Sequence, residues 1–368
     1  MKTAIGKTER PMQVTRCLTS AALALAVGFA VPAQAEETAS KGQTIGYVLT
    51  TFAWAIHTTE KKTECPEGLN DGPRAQYKQL FPDDGTKRNV VDTVLRRESA
   101  VWFPNLEPEP LKFKEAQSKV APGLNLDGKT DQNDFESPNG EKGVDNQFYR
   151  VFGCISDIRP GGSIYSLQND YLRKYNYSRT VIELTGVDSM VNDDSVTVTT
   201  YRALDLIATD ATGTSFLQYG TQRVDEQWGK KFVQRISGKI VDGVLITEAA
   251  DVTLPYTFNY YPRQHYKIRG AIFKLDLTEE RARGIIAGYL DIKSWYRATN
   301  GALSTYTQSF GDQSSPSVYR AMHRLADGYP DPATGKNTAL SMAQDLQFTR
   351  VYIKHGTSAA ERNVASTD

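Results

Sequence analysis

Hydrophobic and polar residues alternate over much of the chain beyond residue 178. In the stretch 251–261, every second residue from Val252 to Tyr260 is hydrophobic or aromatic, and the residues between them are mostly polar or small. This two-residue period is typical of antiparallel strands that bury one face and expose the other. The same criteria, with Gly, Asn and Asp turns between segments, predict strands over 180–186, 195–201, 231–240, 244–248, 251–261 and 284–292.

Two local features refine this prediction. Asp242 and Gly243 separate two strand-like segments, and this dipeptide accepts the positive φ angles of a tight hairpin turn. Within 266–277 the hydrophobic residues change register, because the adjacent residues Ile272 and Phe273 belong to opposite phases of the alternation. An inserted residue produces such a change, so the pattern predicts a β-bulge in this strand.

The residues before 178 have a mixed pattern. A run of β-branched and aromatic residues predicts a strand over 44–58, and 121–145 is polar and rich in turn-forming residues. In 146–155 the hydrophobic residues recur at helical spacing, which predicts a short helix carrying Cys154. Further short helices are predicted over 74–81, 88–98, 110–119 and 317–325.

These elements predict a β-rich α+β fold. We expect an antiparallel β-sandwich or jelly-roll-like core with an N-terminal helix and loop region packed on it, because many short strands separated by turns are typical of sandwiches. The predicted organisation is a signal peptide (1–35), a mixed α/β and loop region with an acidic segment (36–177), a mainly antiparallel β region (178–355) and a polar tail (356–368). The two central regions could form one continuous domain.

The N-terminus has the composition of a cleavable signal peptide. Four basic residues precede an apolar stretch from Leu18 to Val31, which is about 14 residues long and too short to cross a bilayer of about 30 Å as a helix. Ala33 and Ala35 then form an Ala-x-Ala cleavage site. We therefore predict cleavage after Ala35 and a periplasmic or secreted protein, with a retained N-terminal anchor as the alternative.

The net charge differs between the whole chain and the part that follows the predicted leader. The whole chain has 43 basic and 43 acidic residues, and the part after residue 35 has 39 and 42, a net charge of −3. This balance gives no electrostatic reason to bind nucleic acid or anionic lipid. No second stretch of about 18 apolar residues occurs, so we predict no membrane span after processing.

Cysteine usage agrees with export. Cys17 lies in the leader, which leaves Cys65 and Cys154 in the mature chain. In an oxidising compartment two cysteines allow one intramolecular disulfide, and we predict this pairing. Two separate buried thiols are the alternative.

The polar segment contains a candidate calcium loop. Asn125, Asp127 and Asp131 follow the pattern N-x-D-G-x-x-D, and Asp145 lies further along the same segment. A hard cation such as Ca²⁺ takes six to eight oxygen ligands, which a tight acidic turn can supply. About seven residues resemble half of the acidic loops in dockerin modules and thrombospondin-type repeats, although Gly123 stands where those loops begin with Asp. The alternative is a solvated turn whose Asp, Asn and Gly residues favour turns without any metal.

No catalytic motif is present in the sequence. The chain lacks the G-x-S-x-G and S-x-x-K patterns of nucleophilic enzymes and a complete phosphate-binding loop. Acids on or near predicted strands could form the carboxylate pair of a glycosidase, which leaves no local signature; they are Glu183, Glu248, Asp276 and Asp291. The four histidines show no helical metal-binding spacing, and we expect structural roles for them; they are His57, His265, His323 and His355.

These observations favour an exported binding or structural protein whose ligand is unknown. Calcium, as a stabilising ion, is the one cofactor that the sequence predicts. Carbohydrate is a possible ligand, because exposed aromatic rings stack on sugars; the candidate aromatic residues are Tyr256, Tyr260, Tyr261, Trp295 and Tyr296. Core packing is the alternative role for Tyr256 and Tyr260. The alternative functions are an exported hydrolase with a carboxylate pair and an accessory protein of an exported redox or metal system.

Overall fold

The computed structural model describes residues 42–70, 95–97, 100–102, 113–175, 178–256, 264–302 and 315–356. The predicted signal peptide, the predicted helix 74–81 and most of the polar tail lie outside the described residues. Within the described part of the chain, no helix has the length and apolar character needed to cross a membrane.

Fifteen strands, four α-helices and one 3-10 helix (Glu226–Trp228) occur in the described residues. The strands are β1 (Gln43–Trp54), β2 (Leu95–Arg97), β3 (Ala100–Trp102), β4 (Phe135–Glu136), β5 (Lys142–Val144), β6 (Thr180–Val187), β7 (Asp193–Arg202), β8 (Gly220–Arg223), β9 (Gln234–Val241), β10 (Val244–Thr247), β11 (Ala250–Tyr256), β12 (Gln264–Leu277), β13 (Arg281–Asp291), β14 (Gly328–Pro330) and β15 (Asn337–Lys354). The helices are α1 (Gln147–Phe152), α2 (Ser163–Lys174), α3 (Ile292–Ala302) and α4 (Ser315–Arg324).

Eight of these strands form a closed antiparallel barrel. The order around the barrel is β1, β6, β7, β9, β10, β12, β13 and β15, and β15 pairs again with β1. β11 continues the line of β10 along β12. Neighbours in the barrel also follow one another along the chain, so the topology is an up-and-down barrel.

The prediction of a sandwich or jelly-roll core is therefore wrong. A sandwich has two sheets with free edges, whereas β1 is paired along one side with β6 and along the other with β15, from Gly46 opposite Val351 to Trp54 opposite Gln344. Alternating burial has the same period in a sandwich and in a barrel. Only the contact between strands about 300 residues apart in the sequence distinguishes the two folds.

Most predicted strands are confirmed, and several local predictions are corrected. Asp242 and Gly243 have φ angles of 50° and 80° in the turn between β9 and β10, and β12 carries the predicted bulge between Arg269 and Ile272. The predicted helix 88–98 is wrong at residues 95–97, which form the strand β2. The predicted helix 110–119 is wrong over 113–119, where the chain is not helical. The backbone of this second segment instead donates hydrogen bonds from Ala116 to Arg150 O and from Gln117 to Glu64 O.

Large apolar side chains fill the barrel. Alternate residues of every barrel strand are buried in one continuous core, and Tyr47, Ile182, Val198 and Phe273 are less than 2% exposed. Among the described residues, a cavity of about 20 Å³ lies near Tyr266, which is room for about one water molecule. The interior of an eight-stranded barrel is just wide enough for side chains to fill, and the buried side chains of this barrel pack into one core.

An aromatic cluster closes one end of the barrel. Trp54, at the end of β1, stacks on Phe148 of α1 with ring centroids 4.0 Å apart. Phe148 stacks on Phe152 at 4.1 Å, and Trp295 of α3 packs edge-on against both. The side-chain oxygen of Asn146 accepts the Tyr149 N–H and caps α1. The helix predicted in 146–155 is therefore confirmed over Gln147–Phe152, but the prediction that it carries Cys154 is wrong, because the helix ends before this residue. α1 and α3 thus serve as a lid over the hydrophobic core.

The predicted disulfide joins Cys65 to Cys154, just beyond α1, with Cα atoms 5.8 Å apart. Beside it, the buried Arg159 guanidinium binds the carboxylate of Glu64 and donates to Gly153 O at 2.9 Å. Asn70 donates to Cys154 O at 3.1 Å. The cross-link therefore ties the loop after β1 to the helix that closes the barrel.

Candidate functional site

A buried carboxylate and a histidine meet on the outside of the barrel. Glu183 lies on β6 with its side chain pointing away from the core, and His355 directly follows β15. His355 Nε2 lies 2.9 and 3.1 Å from the two carboxylate oxygens of Glu183, and Tyr201 Oη donates to the same carboxylate at 3.3 Å. The hydrogen bond to Glu183 raises the pKa of His355 against the opposing effect of burial, and the Glu226 carboxylate raises it further.

A glycine in β1 allows the end of β15 to pack here. β1 lies between β6 and β15, and Gly46 pairs with both Glu183 and Val351. A Cβ atom at Gly46 would lie 2.8 Å from Ile353 Cγ1 and 2.7 Å from Val351 O. Because real Cβ contacts are longer than this, a side chain at this position would displace the strand that positions His355.

His355 lines an open pocket with a volume of about 560 Å³. We call this the His355 pocket; its lining residues are Leu204, Arg223, Val224, Asp225, Glu226, Gln227, Lys354, His355 and Gly356. The volume lies within the range of about 300–1,000 Å³ that is usual for small-molecule sites. Two aliphatic side chains and charged groups of both signs share the lining.

A buried ion pair fixes one wall of the His355 pocket. Asp225 accepts hydrogen bonds from Arg202 Nε at 3.1 Å, from Gln227 Nε2 at 3.0 Å and from Trp228 Nε1 at 3.0 Å. The Arg202 guanidinium also lies over the Trp228 ring, 5.4 Å from its centroid. Since Arg202 belongs to β7, the pocket wall is held directly on the barrel, and all three hydrogen bonds reach the Oδ2 atom of Asp225.

Two exposed tyrosines adjoin the same edge of the sheet. β8 runs parallel to β15, with Tyr352 opposite Thr221 and Lys354 opposite Arg223. Residues two apart in a strand share a face, so Tyr352 lies on the face of Lys354 and of the core residue Phe348, and neither tyrosine lines the His355 pocket. Tyr352 is 59% exposed and Tyr219 is 44% exposed, and their ring centroids are 6.2 Å apart. We call these two residues the tyrosine pair.

Asn125, Asp127 and Asp131 lie in one loop, where the side chains of Asn125 and Asp127 bind neighbouring backbone groups. Asn125 accepts from Gly128 N and donates to Lys129 O, both at 2.7 Å, and Asp127 accepts from Lys129 N at 2.9 Å. Asp134 accepts a hydrogen bond from the backbone N–H of Asp131.

The buried Asp145 carboxylate accepts from Leu126 N at 2.7 Å, and burial together with the nearby Asp127 and Asp134 carboxylates raises the pKa of Asp145 to about 6. Among the residues that the structure describes, no three His, Cys, Asp or Glu side chains come together in a way that could hold a metal ion. Calcium binding stays a prediction for solution measurements.

The other predicted site residues are dispersed. Of the four acids, Glu183 binds His355 and Asp291 accepts from Arg269 at 2.6 Å. Glu248, between β10 and β11, and Asp276, on β12, are both exposed. Of the aromatic candidates, Tyr260 and Tyr261 lie outside the described residues, and the others are buried; they are Tyr256, Trp295 and Tyr296. Tyr256 accepts a hydrogen bond from Gln168, which agrees with core packing.

Sequence reasoning missed the tyrosine pair and the His355 pocket. Glu183 and His355 are 172 residues apart in the chain, and no spacing rule connects them. The alternation of Val351 and Ile353 with Tyr352 and Lys354 was the available signal, because it predicts a strand with one exposed aromatic face. Comparison of the chain with protein-family models, curated proteins and solved structures found no match.

Proposed function

We propose that this protein is an exported, non-catalytic binding protein that takes a hydroxyl-rich ligand, a carbohydrate, on the outside of its barrel. The observation that supports the proposal is the difference in volume between the cavity inside the barrel and the His355 pocket outside it. The barrel interior holds a cavity of about 20 Å³, whereas the His355 pocket outside it has about 560 Å³. The cavity near Tyr266 that the described residues enclose is too small for a sugar ring, whereas the outer pocket is large enough.

The chemistry of the site supports this ligand class. Sugar hydroxyls both donate and accept hydrogen bonds, and the His355 pocket offers donors such as Lys354 and Arg223 beside the acceptor Glu226. Tyr352 lies two residues before Lys354 on β15, and tyrosine presents a flat apolar ring with a polar tip. Stacking on the rings and hydrogen bonding in the pocket would then act on one extended ligand.

Affinity electrophoresis in gels containing soluble polysaccharides tests the proposal. We expect retardation of the mature protein by at least one polysaccharide, and a loss of about tenfold or more in affinity for Tyr352→Ala, since stacking contacts of aromatic rings contribute about 1–3 kcal/mol in related ring–ring recognition. Tyr319→Ala is the matched control, because Tyr319 is a 38% exposed tyrosine on α4, away from the His355 pocket. Equal retardation of both variants, or no retardation of the wild type by a panel of neutral and acidic polysaccharides, would refute it.

A hydrolase is the second candidate function, because the carboxylates of Glu183 and Glu226 both raise the pKa of His355. Glu183 is bonded to its Nε2, and Glu226, which accepts from Gly356 N at 2.9 Å, also raises its pKa. A Glu–His pair of this kind can act as a general base toward water. Release of reducing ends from any bound polysaccharide, abolished in Glu183→Gln with binding retained, would favour hydrolysis over binding alone.

A further inference from the structure

A second crevice, outside the His355 pocket, concentrates positive charge. It has a volume of about 260 Å³ and lies between α1, the end of α4 and the segment around Lys119. Three cationic side chains, Lys119, Arg150 and Arg324, line it together with Asn133, Gln147 and Asp327. We call it the basic crevice.

Arg150 is held in a fixed orientation in this crevice. Its guanidinium lies over the Phe135 ring at 4.6 Å from the centroid, its Nε donates to Gln147 Oε1 at 3.1 Å, and its Nη2 donates to Asn133 O at 3.2 Å. These bonds use two of the five N–H donors of the guanidinium. Gln147 is itself buried and donates to Asn133 O at 2.9 Å, so the support of Arg150 is also fixed.

The positive charge of the crevice is only partly neutralised. Glu115 binds Arg324, and Asp327 accepts hydrogen bonds from both the backbone and the hydroxyl of Ser341. Within the described part of the chain, neither Lys119 nor Arg150 has a carboxylate within ion-pair distance. Partial burial lowers the pKa of Arg150, while Glu115 counteracts this effect from a longer distance. A partly desolvated guanidinium without a bound anion is electrostatically costly, and an anion in the crevice would remove that cost.

We propose that the basic crevice binds an oxyanion group, a phosphate or a carboxylate, between Lys119 and Arg150. A guanidinium with free N–H donors in one plane matches the oxygens of such a group, and the lysine adds a mobile point charge. The volume accommodates a small metabolite or the charged end of a larger ligand. This inference is independent of the proposed function, since the two sites share no residue.

Isothermal titration calorimetry of the mature protein with inorganic phosphate, at pH 7 and constant ionic strength, tests the proposal. We expect saturable one-to-one binding, weakened about tenfold or more in Lys119→Gln and in Arg150→Lys. Lys119 is exposed, so its replacement leaves the fold intact, and Arg150→Lys keeps the charge while removing the planar donor arrangement. Lys239→Gln is the matched control, because it removes one positive charge from an exposed position on β9.

A parallel titration with acetate distinguishes the two oxyanion classes, because only a site selective for phosphate leaves acetate unbound. The proposal is overturned if neither anion gives a saturable signal. It is equally overturned if Lys239→Gln weakens binding as much as Lys119→Gln, since the effect would then be one of net charge. A circular dichroism spectrum and a melting curve of each variant without anion confirm that the compared proteins are folded.

Discussion

Removal of the disulfide should cost this protein a large part of its stability. Cys65 and Cys154 are separated by 89 positions, and the cross-link restricts this whole loop in the unfolded chain. The chain-entropy relation gives about 4.6 kcal/mol for a loop of this length. Typical domains have a free energy of unfolding of about 5–15 kcal/mol, so the expected loss is a substantial fraction of the total.

A double-mutant cycle separates the cross-link from local packing. Cys65→Ala and Cys154→Ala each remove the disulfide, so each single variant should lose the full cross-link contribution plus its own small packing loss. The double variant loses the cross-link only once. The coupling energy of the cycle should therefore approach about 4.6 kcal/mol in magnitude, whereas independent thiols would give about zero.

Urea unfolding followed by tryptophan fluorescence measures this cycle, because Trp54 and Trp295 lie in the aromatic cluster beside the helix that precedes Cys154. The urea m-value should also increase in all three variants, since an unfolded chain without the cross-link exposes more surface. Protein produced in an oxidising compartment is required for the wild type. A coupling energy below about 1 kcal/mol would refute the loop-entropy argument for this protein.

Four further outcomes are expected. Trp54→Ala should lower the free energy of unfolding by about 3–5 kcal/mol in urea titrations, because it removes a buried ring from the closed barrel end. Gly46→Ala should cost about 1–3 kcal/mol in the same assay, because its Cβ would overlap the end of β15. The pKa of His355 is raised by Glu183, so its stabilising contribution is complete below about pH 6.5 and is lost as pH rises through the folded pKa. His355→Gln should therefore destabilise more at pH 5.5 than at pH 8.5, by less than about 1 kcal/mol since the side chain is half exposed. If Asp127 and Asp131 do bind calcium, millimolar calcium should raise the melting temperature and EDTA lower it, and replacing both by Ala should abolish the response; an indifferent melt identifies a solvated turn.

The strand positions could be predicted because alternation is a local property. β6, β7, β10 and β13 lie close to their predicted ranges. α2 and α3 were missed; in α2 the buried residues Ile164, Gln168 and Leu172 do recur at helical spacing, but the middle one is polar, so the hydrophobic pattern is weak. The Asn169 side chain accepts a hydrogen bond from Phe52 N and donates one to Phe52 O. The spacing of residues along the helix does not predict this contact.

The candidate sites depended on contacts over long sequence distances. Tyr219 and Tyr352 come together because β8 pairs with β15 in parallel, which the sequence does not indicate. Trp295, predicted as a candidate for sugar stacking, instead lies in the aromatic cluster. The acidic loop was found from composition, but its side chains mainly bind the backbone of the loop itself. Composition indicates which residues favour a turn, whereas the number of oxygens that converge depends on the folded geometry.

The sequence by itself determined the local elements: the alternating strands, the Asp242–Gly243 turn, the bulge in β12 and the single possible disulfide between Cys65 and Cys154. Each follows from neighbouring residues or from the number of cysteines. Only the tertiary structure decided that the sheet closes, because the pairing of β1 with β15 joins strands from the two ends of the described chain. The sequence could not show this closure, because the backbone hydrogen bonds that join the two strands carry no signature in the sequence of either. Among the described residues, the closed barrel encloses a cavity of about 20 Å³, and the His355 pocket lies outside it.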